Sequence, residues 1–224
     1  MGQRSLQELI GVDSPAWPGL KDALGRARNQ VEVLPRDPVR SAATLEGLQI
    51  TLGSNLGAVA YETGGLLVDH GWVRVLGGGS DRGQGLAEWN GLCGTPPLED
   101  TAGLCIVAYD LIGGFFALDG QANGEAVYFA PDTLGWERLA RGYSGLIRFL
   151  LDGDLNGYYP FRWSGWEREA SDVPFDRALS LLPPPFMKEG KDLSRVSRRP
   201  VPAQQVWSVG QGYAKQFGGP TESG

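Results

Sequence analysis

One histidine and two cysteines set tight limits on the chemistry open to this chain of 224 residues. His70 is the only imidazole, so any histidine-dependent general-base or nucleophilic mechanism must use it. It lies between Asp69 and Gly71 in a segment that reads as a hairpin turn, where an ordinary turn residue is expected. The nucleophile elbow G-x-S-x-G is missing: Gly78-Gly79-Ser80-Asp81-Arg82 ends in Arg, and Gly142-Tyr143-Ser144-Gly145-Leu146 ends in Leu. No Lys-Ser/Thr pair follows the glycines at 77–79, and Arg82 stands where a dinucleotide fingerprint needs its third glycine. Cys93 and Cys105, with eleven residues between them, supply too few ligands for structural zinc and read as two unpaired buried thiols. Asp152-Gly153-Asp154 offers oxygen ligands, but Leu155, Asn156 and Gly157 break the alternation of an EF-hand loop, so a helix-ending turn is expected. These readings call for no metal and no cofactor.

Carboxylates are the remaining source of chemistry. From Gly83 to Glu137 there is no Lys or Arg, while Glu88, Glu99, Asp100, Asp110, Asp119, Glu125, Asp132 and Glu137 all fall there. Two acids roughly 5–10 Å apart across a cleft could run glycosidase-type catalysis. Spacing along the chain does not test that distance, so a carboxylate enzyme stays an alternative. The same stretch also reads as a negative face that would attract a cationic partner and speed its association. Asp110, Asp119, Glu125 and Asp132 are the candidate partner-binding acids. Arg162-Trp163-Ser164-Gly165-Trp166 is dense in side chains favoured at binding hot spots, which makes Trp163 and Trp166 candidate aromatic anchors.

The net charge of −6 does not suit direct binding to a phosphate backbone. The N-terminus lacks a basic segment followed by an apolar run, and Leu104–Leu118 is interrupted by Tyr109, Asp110, Gly113 and Gly114. Neither a signal peptide nor a membrane span is expected, and a cytoplasmic location follows. Seven Trp, seven Tyr and eight Phe supply anchors for a core, and 34 Gly and 15 Pro punctuate the apolar runs with turns.

Helices are expected at 5–10, after the Ser14-Pro15 cap, at 39–45 and at 54–61. Strands are expected at 31–34, 66–68 and 72–76, with 48–52 extended and a flexible loop from Gly77 to Pro97. Three strands at 104–109, 114–119 and 126–130 have short connectors, which demand an antiparallel meander; 136–140 adds a fourth. A helix capped by Ser144, another starting at the Ser164/Glu167 capping box and a last one at 203–213 follow, and 218–224 reads as a flexible tail. The expected fold is α+β: a central antiparallel sheet flanked by N- and C-terminal helices, in one domain spanning 1–217.

The run from Leu56 to Gly77, Gly113-Gly-Phe-Phe-Ala-Leu-Asp, the segment Val127 to Glu137 and Arg162-Trp-Ser-Gly-Trp resemble the bacterial family of domain of unknown function 2625. Lys188-Glu-Gly-Lys-Asp and Arg199-Pro-Val-Pro resemble its C-terminal part. A second resemblance is to the SUKH superfamily, whose layout is similar to residues 54–152: helix, Gly-Gly into a strand pair, then Asp-x-x-Gly-Gly opening a strand at Asp110. That resemblance implies an immunity-type protein that binds and blocks a secreted toxin, often a nuclease. The expected function is therefore binding without catalysis of a protein partner such as a basic toxin, with a homo-oligomeric scaffold as a further alternative.

Overall fold

The computed structural model describes residues 2–94, 96, 98–101 and 103–217. Seven consecutive strands form one antiparallel sheet in chain order: β1 (Val31–Leu34), β2 (Gly65–Val68), β3 (Val73–Leu76), β4 (Leu104–Asp110), β5 (Phe115–Asp119), β6 (Glu125–Ala130) and β7 (Gly135–Ala140). The α+β meander is thus present, and it begins ahead of residue 54 because β1 pairs with β2.

Both faces of the sheet are covered, so the central strands are buried at successive positions instead of alternating, Arg74 of β3 and Asp110 of β4 included. Phe115 and Phe129 share one face, where their rings meet Trp207 of the last helix, α9 (Ala203–Phe217). Phe116 and Tyr128 share the other, where Tyr128 meets Tyr158. Tyr158 ends α7 (Leu155–Tyr158), which follows α6 (Gly142–Asp152). α6 buries Leu146, Ile147, Leu150 and Leu151, a spacing that lines one side of a helix.

The N-terminal helices are α1 (Leu6–Ile10), α2 (Trp17–Gly25), α3 (Pro38–Leu48) and α4 (Asn55–Glu62). Ser5 and Glu8 close a capping box on α1, and Ser54 Oγ accepts from Gly57 N at 3.0 Å to start α4. Several expected caps shift. α2 starts from Ala16, not Ser14; α6 starts two residues before Ser144; and α8 (Trp166–Asp172) is entered from Gly165, whose φ of 80° turns the chain sharply. Residues 48–52 are not extended, because Gln49 closes α3 in the left-handed region at φ 53°.

The loop expected to be flexible from Gly77 is pinned instead. Arg40 of α3 bonds Glu88 Oε1 through Nη2 at 2.6 Å and Nε at 3.1 Å, and also reaches the carbonyls of Ser80 and Gly83. Glu88 sits in a short helix, α5 (Leu86–Trp89), and its other oxygen accepts from Gly85 N. The end of that loop at Pro97 and the tail 218–224 lie outside the described residues. Nothing in the apolar pattern announced the hairpin of β8 (Arg177–Leu182) and β9 (Ser197–Pro202), because Pro200 and Pro202 sit inside the second strand. Among the described residues, no helix is long and apolar enough to cross a membrane.

Candidate functional site

Asp110 ends β4 and folds the chain back on itself. Its Oδ1 accepts from Ile112 N at 3.0 Å and Gly114 N at 2.8 Å, an Asx-type turn that launches β5. Its Oδ2 accepts from Tyr128 Oη at 2.7 Å and Tyr159 Oη at 3.3 Å. Gly114 is required here, since a Cβ would land on the Tyr128 hydroxyl and on Asp110 Oδ2. The Asp-x-x-Gly-Gly pattern therefore encodes a buried hub that fixes two tyrosines. Burial pushes the Asp110 carboxyl up, while the hydrogen bonds from Tyr128, Gly114, Ile112 and Tyr159 pull against that shift.

Those two tyrosines form the floor of a cavity of about 330 Å³. Tyr158 and Phe161 add aromatic walls, and Asp132, Glu137 and Lys191 add charge. The sheet supplies both acids. Tyr128 of β6 pairs directly with Glu137 of β7, which puts them side by side on one face, and Asp132 lies in the turn joining those strands. The Tyr158 hydroxyl is pushed upward, first by burial and then by the negative field of Asp110, Glu137 and Asp132. Neither Asp132 nor Glu137 forms an ion pair among the described residues, nor does Lys191. Two carboxylates against one lysine leave the lining net negative, and with the tyrosines beside them it suits an organic cation through both charge and ring quadrupoles.

The four acids expected on one face are separated. Asp110 is 0% exposed and cannot meet a partner. Asp119 caps the β5–β6 turn, accepting from Gln121 N at 2.8 Å, and Glu125 pairs with Arg138 at 3.3 Å. Both lie at the far end of β6 from Asp132, about 17 Å away along six residues of strand. Of the four, only Asp132 reaches the cavity. The fold brings in Glu137, Tyr128, Tyr158, Tyr159 and Lys191 instead. Their sequence signals were the adjacent tyrosines 158–159, the position of Glu137 in the cation-free stretch, and the family-like segments that contain Tyr128, Glu137 and Lys191.

Trp163 and Trp166 are buried, not surface anchors. Trp166, Trp72 and Tyr159 enclose the guanidinium of Arg162, whose Cζ lies 4.0 Å from the Trp166 ring centre, 4.4 Å from Trp72 and 4.9 Å from Tyr159. Arg162 Nη1 bonds Asp69 Oδ2 at 2.6 Å, and only 4% of the Arg162 side chain is exposed. Trp163 donates Nε1–H to Glu169 at 2.8 Å, which also holds Arg198 over the Trp163 ring. His70 stays at the surface in the β2–β3 turn, with Trp166 edge-on to its ring. Cys93 and Cys105 are free thiols, Cys93 at the surface and Cys105 half-buried. Among the described residues no group of three His, Cys, Asp or Glu side chains could hold a metal ion.

Residues 6–206, which include every side chain of the cavity, match the family described as "Protein of unknown function DUF2625". The chain belongs to that family. It is 32% identical over 214 residues to "Putative uncharacterized protein YbfG" of Escherichia coli strain K12, covering 92% of this chain and 95% of that protein. It is 31% identical over 186 residues to an "Uncharacterized protein" of Haemophilus influenzae, covering 80% and 82% respectively. No solved structure matches this DUF2625 chain.

Proposed function

We propose that this DUF2625 protein is a binding protein that captures a cationic side chain of a protein partner in the tyrosine-lined acidic cavity. The observation that carries the reading is the pairing of Glu137 with Tyr128, with Asp132 in the adjoining turn and no ion pair to either acid among the described residues. The partner class is a basic protein surface such as that of a secreted nuclease toxin, in line with the SUKH-like layout of residues 54–152, and the setting is cytoplasmic. In such a complex the carboxylates steer encounter, while the aromatic walls hold the desolvated cation.

Titrating the full chain with Nα-acetyl-lysine methylamide, followed through tyrosine ring NMR signals, tests this. The Tyr158 and Tyr159 signals should move, and the double change Asp132→Asn with Glu137→Gln should weaken binding, as should added salt. Equal binding of the neutral norleucine analogue would end the proposal. A second reading, an enzyme that uses Asp110 as an acid through Tyr128 and Tyr159, draws on the upward push that burial gives the Asp110 carboxyl. A substrate whose turnover is lost in Tyr159→Phe, while lysine-amide binding persists, would favour that reading.

A further inference from the structure

The acidic cavity does not end at its own walls. Ile112, Pro131 and Pro185 line it and also line a second, apolar cavity of about 170 Å³, so the two are neighbours across one shared ridge. The second cavity lies between the β8–β9 hairpin, the β6–β7 turn and α9, with Leu134, Leu181, Leu182, Phe186, Val206 and Val209 around it. Leu182 is 66% exposed and Val209 46% exposed, although both are aliphatic and side by side with this groove. Large aliphatic side chains held in water around a concavity mark a contact surface.

We infer that the partner presents a two-residue signature: a Lys or Arg for the acidic cavity, and next to it a bulky aliphatic or aromatic residue for the groove beside α9. This rests on the cation-binding reading and adds the apolar half of the ligand. The occupant is a protein segment with a basic and an apolar side chain, because the paired cavities differ in the same way: carboxylates and tyrosines on one side of Pro131 and Pro185, aliphatic carbon on the other. Lys191 deepens the assignment. It lines the acidic cavity, so its positive charge opposes an incoming cation there.

The test compares capped dipeptides Lys-Leu, Lys-Ala and norleucine-Leu, in both residue orders, against the full chain by calorimetry. In the favoured order, Lys-Leu should bind about tenfold more tightly than Lys-Ala, the gain expected from partial burial of one leucine. Leu182→Ser with Val209→Ser should erase that gain and leave Lys-Ala binding unchanged; both positions are exposed, so folding is spared. Lys191→Met should tighten binding of every lysine peptide. If Lys-Ala binds and Lys-Leu does no better in either order, the signature is wrong while the cation reading stands. If no lysine peptide binds, both fall. If light scattering finds a dimer that Val209→Ser dissolves, a second copy occupies the groove and the signature is overturned.

Discussion

Replacing Asp110 by Ala strips four hydrogen bonds from one buried hub. Ile112 N and Gly114 N lose an acceptor at 3.0 and 2.8 Å, and the hydroxyls of Tyr128 and Tyr159 lose one at 2.7 and 3.3 Å. The hydroxyls can rotate, but the two backbone groups are held by the turn, and each costs about 1–3 kcal/mol when left buried and unsatisfied. Removing a carboxyl that burial already penalises returns part of that cost. The net loss is therefore about 3 kcal/mol, a large share of the roughly 5–15 kcal/mol that holds a typical protein folded. Asp110→Asn keeps the acceptor for both backbone groups and turns an amide toward tyrosine oxygens that can accept, so it should cost about 1 kcal/mol or less. Urea unfolding of the purified chains reads the difference. With a slope of about 3 kcal/mol per molar, Asp110→Ala should lower the midpoint by about 1 M and Asp110→Asn by about a third of that. Equal midpoints for the Ala and Asn variants would refute the hub, because only the acceptor distinguishes them in this account.

Gly114→Ala should destabilise by about 2 kcal/mol or more, since its Cβ would strike Tyr128 and Asp110. Gly212→Ala, which meets open space in α9, should instead gain about 0.5–1 kcal/mol; thermal melts separate the two. Arg162→Lys keeps the charge but loses the flat stack on Trp72, Tyr159 and Trp166, for an expected loss of about 1–2 kcal/mol and a tryptophan emission shift. An Arg162→Lys chain as stable as the parent would count against the cage. Asp110 also sets a pH dependence. Its carboxyl is raised in the folded state, so the folded chain holds a proton that the unfolded chain, near pKa 3.9, has released. Stability should then be fully present below about pH 4 and decline as pH rises through the raised folded value, and Asp110→Asn should flatten that slope in urea midpoints across pH.

The meander was legible because its signals are local. Short turn-rich connectors at 111–113 and 120–124 allow only antiparallel pairing, and β1, β2, β4, β5 and β6 fall within a residue or two of where the apolar runs put them. Helix starts were less legible. Ser14, Ser144 and Ser164 had the right side chain for a cap, yet each helix began elsewhere, because partial burial of Trp17 and burial of Tyr143 and Trp166 compete with a cap worth about 1 kcal/mol. The β8–β9 hairpin escaped because two prolines inside β9 lower its strand signal, while pairing along all six residues overrides it.

Composition and periodicity alone determined the α+β class, the antiparallel order and the concentration of acids between Gly83 and Glu137. They did not determine which acids act together. Side chains in a strand alternate faces, so whether Glu137 stands beside Tyr128 depends on register, and register depends on the β6–β7 turn and on which face α6 and α7 cover. Tertiary structure sent Asp110, Trp163 and Trp166 inward, split Asp119 and Glu125 from Asp132, and gathered Tyr128, Tyr158, Tyr159 and Glu137 around one cavity. The reason is that charge and hydrophobicity belong to residues, whereas a site belongs to distances between residues far apart in the chain.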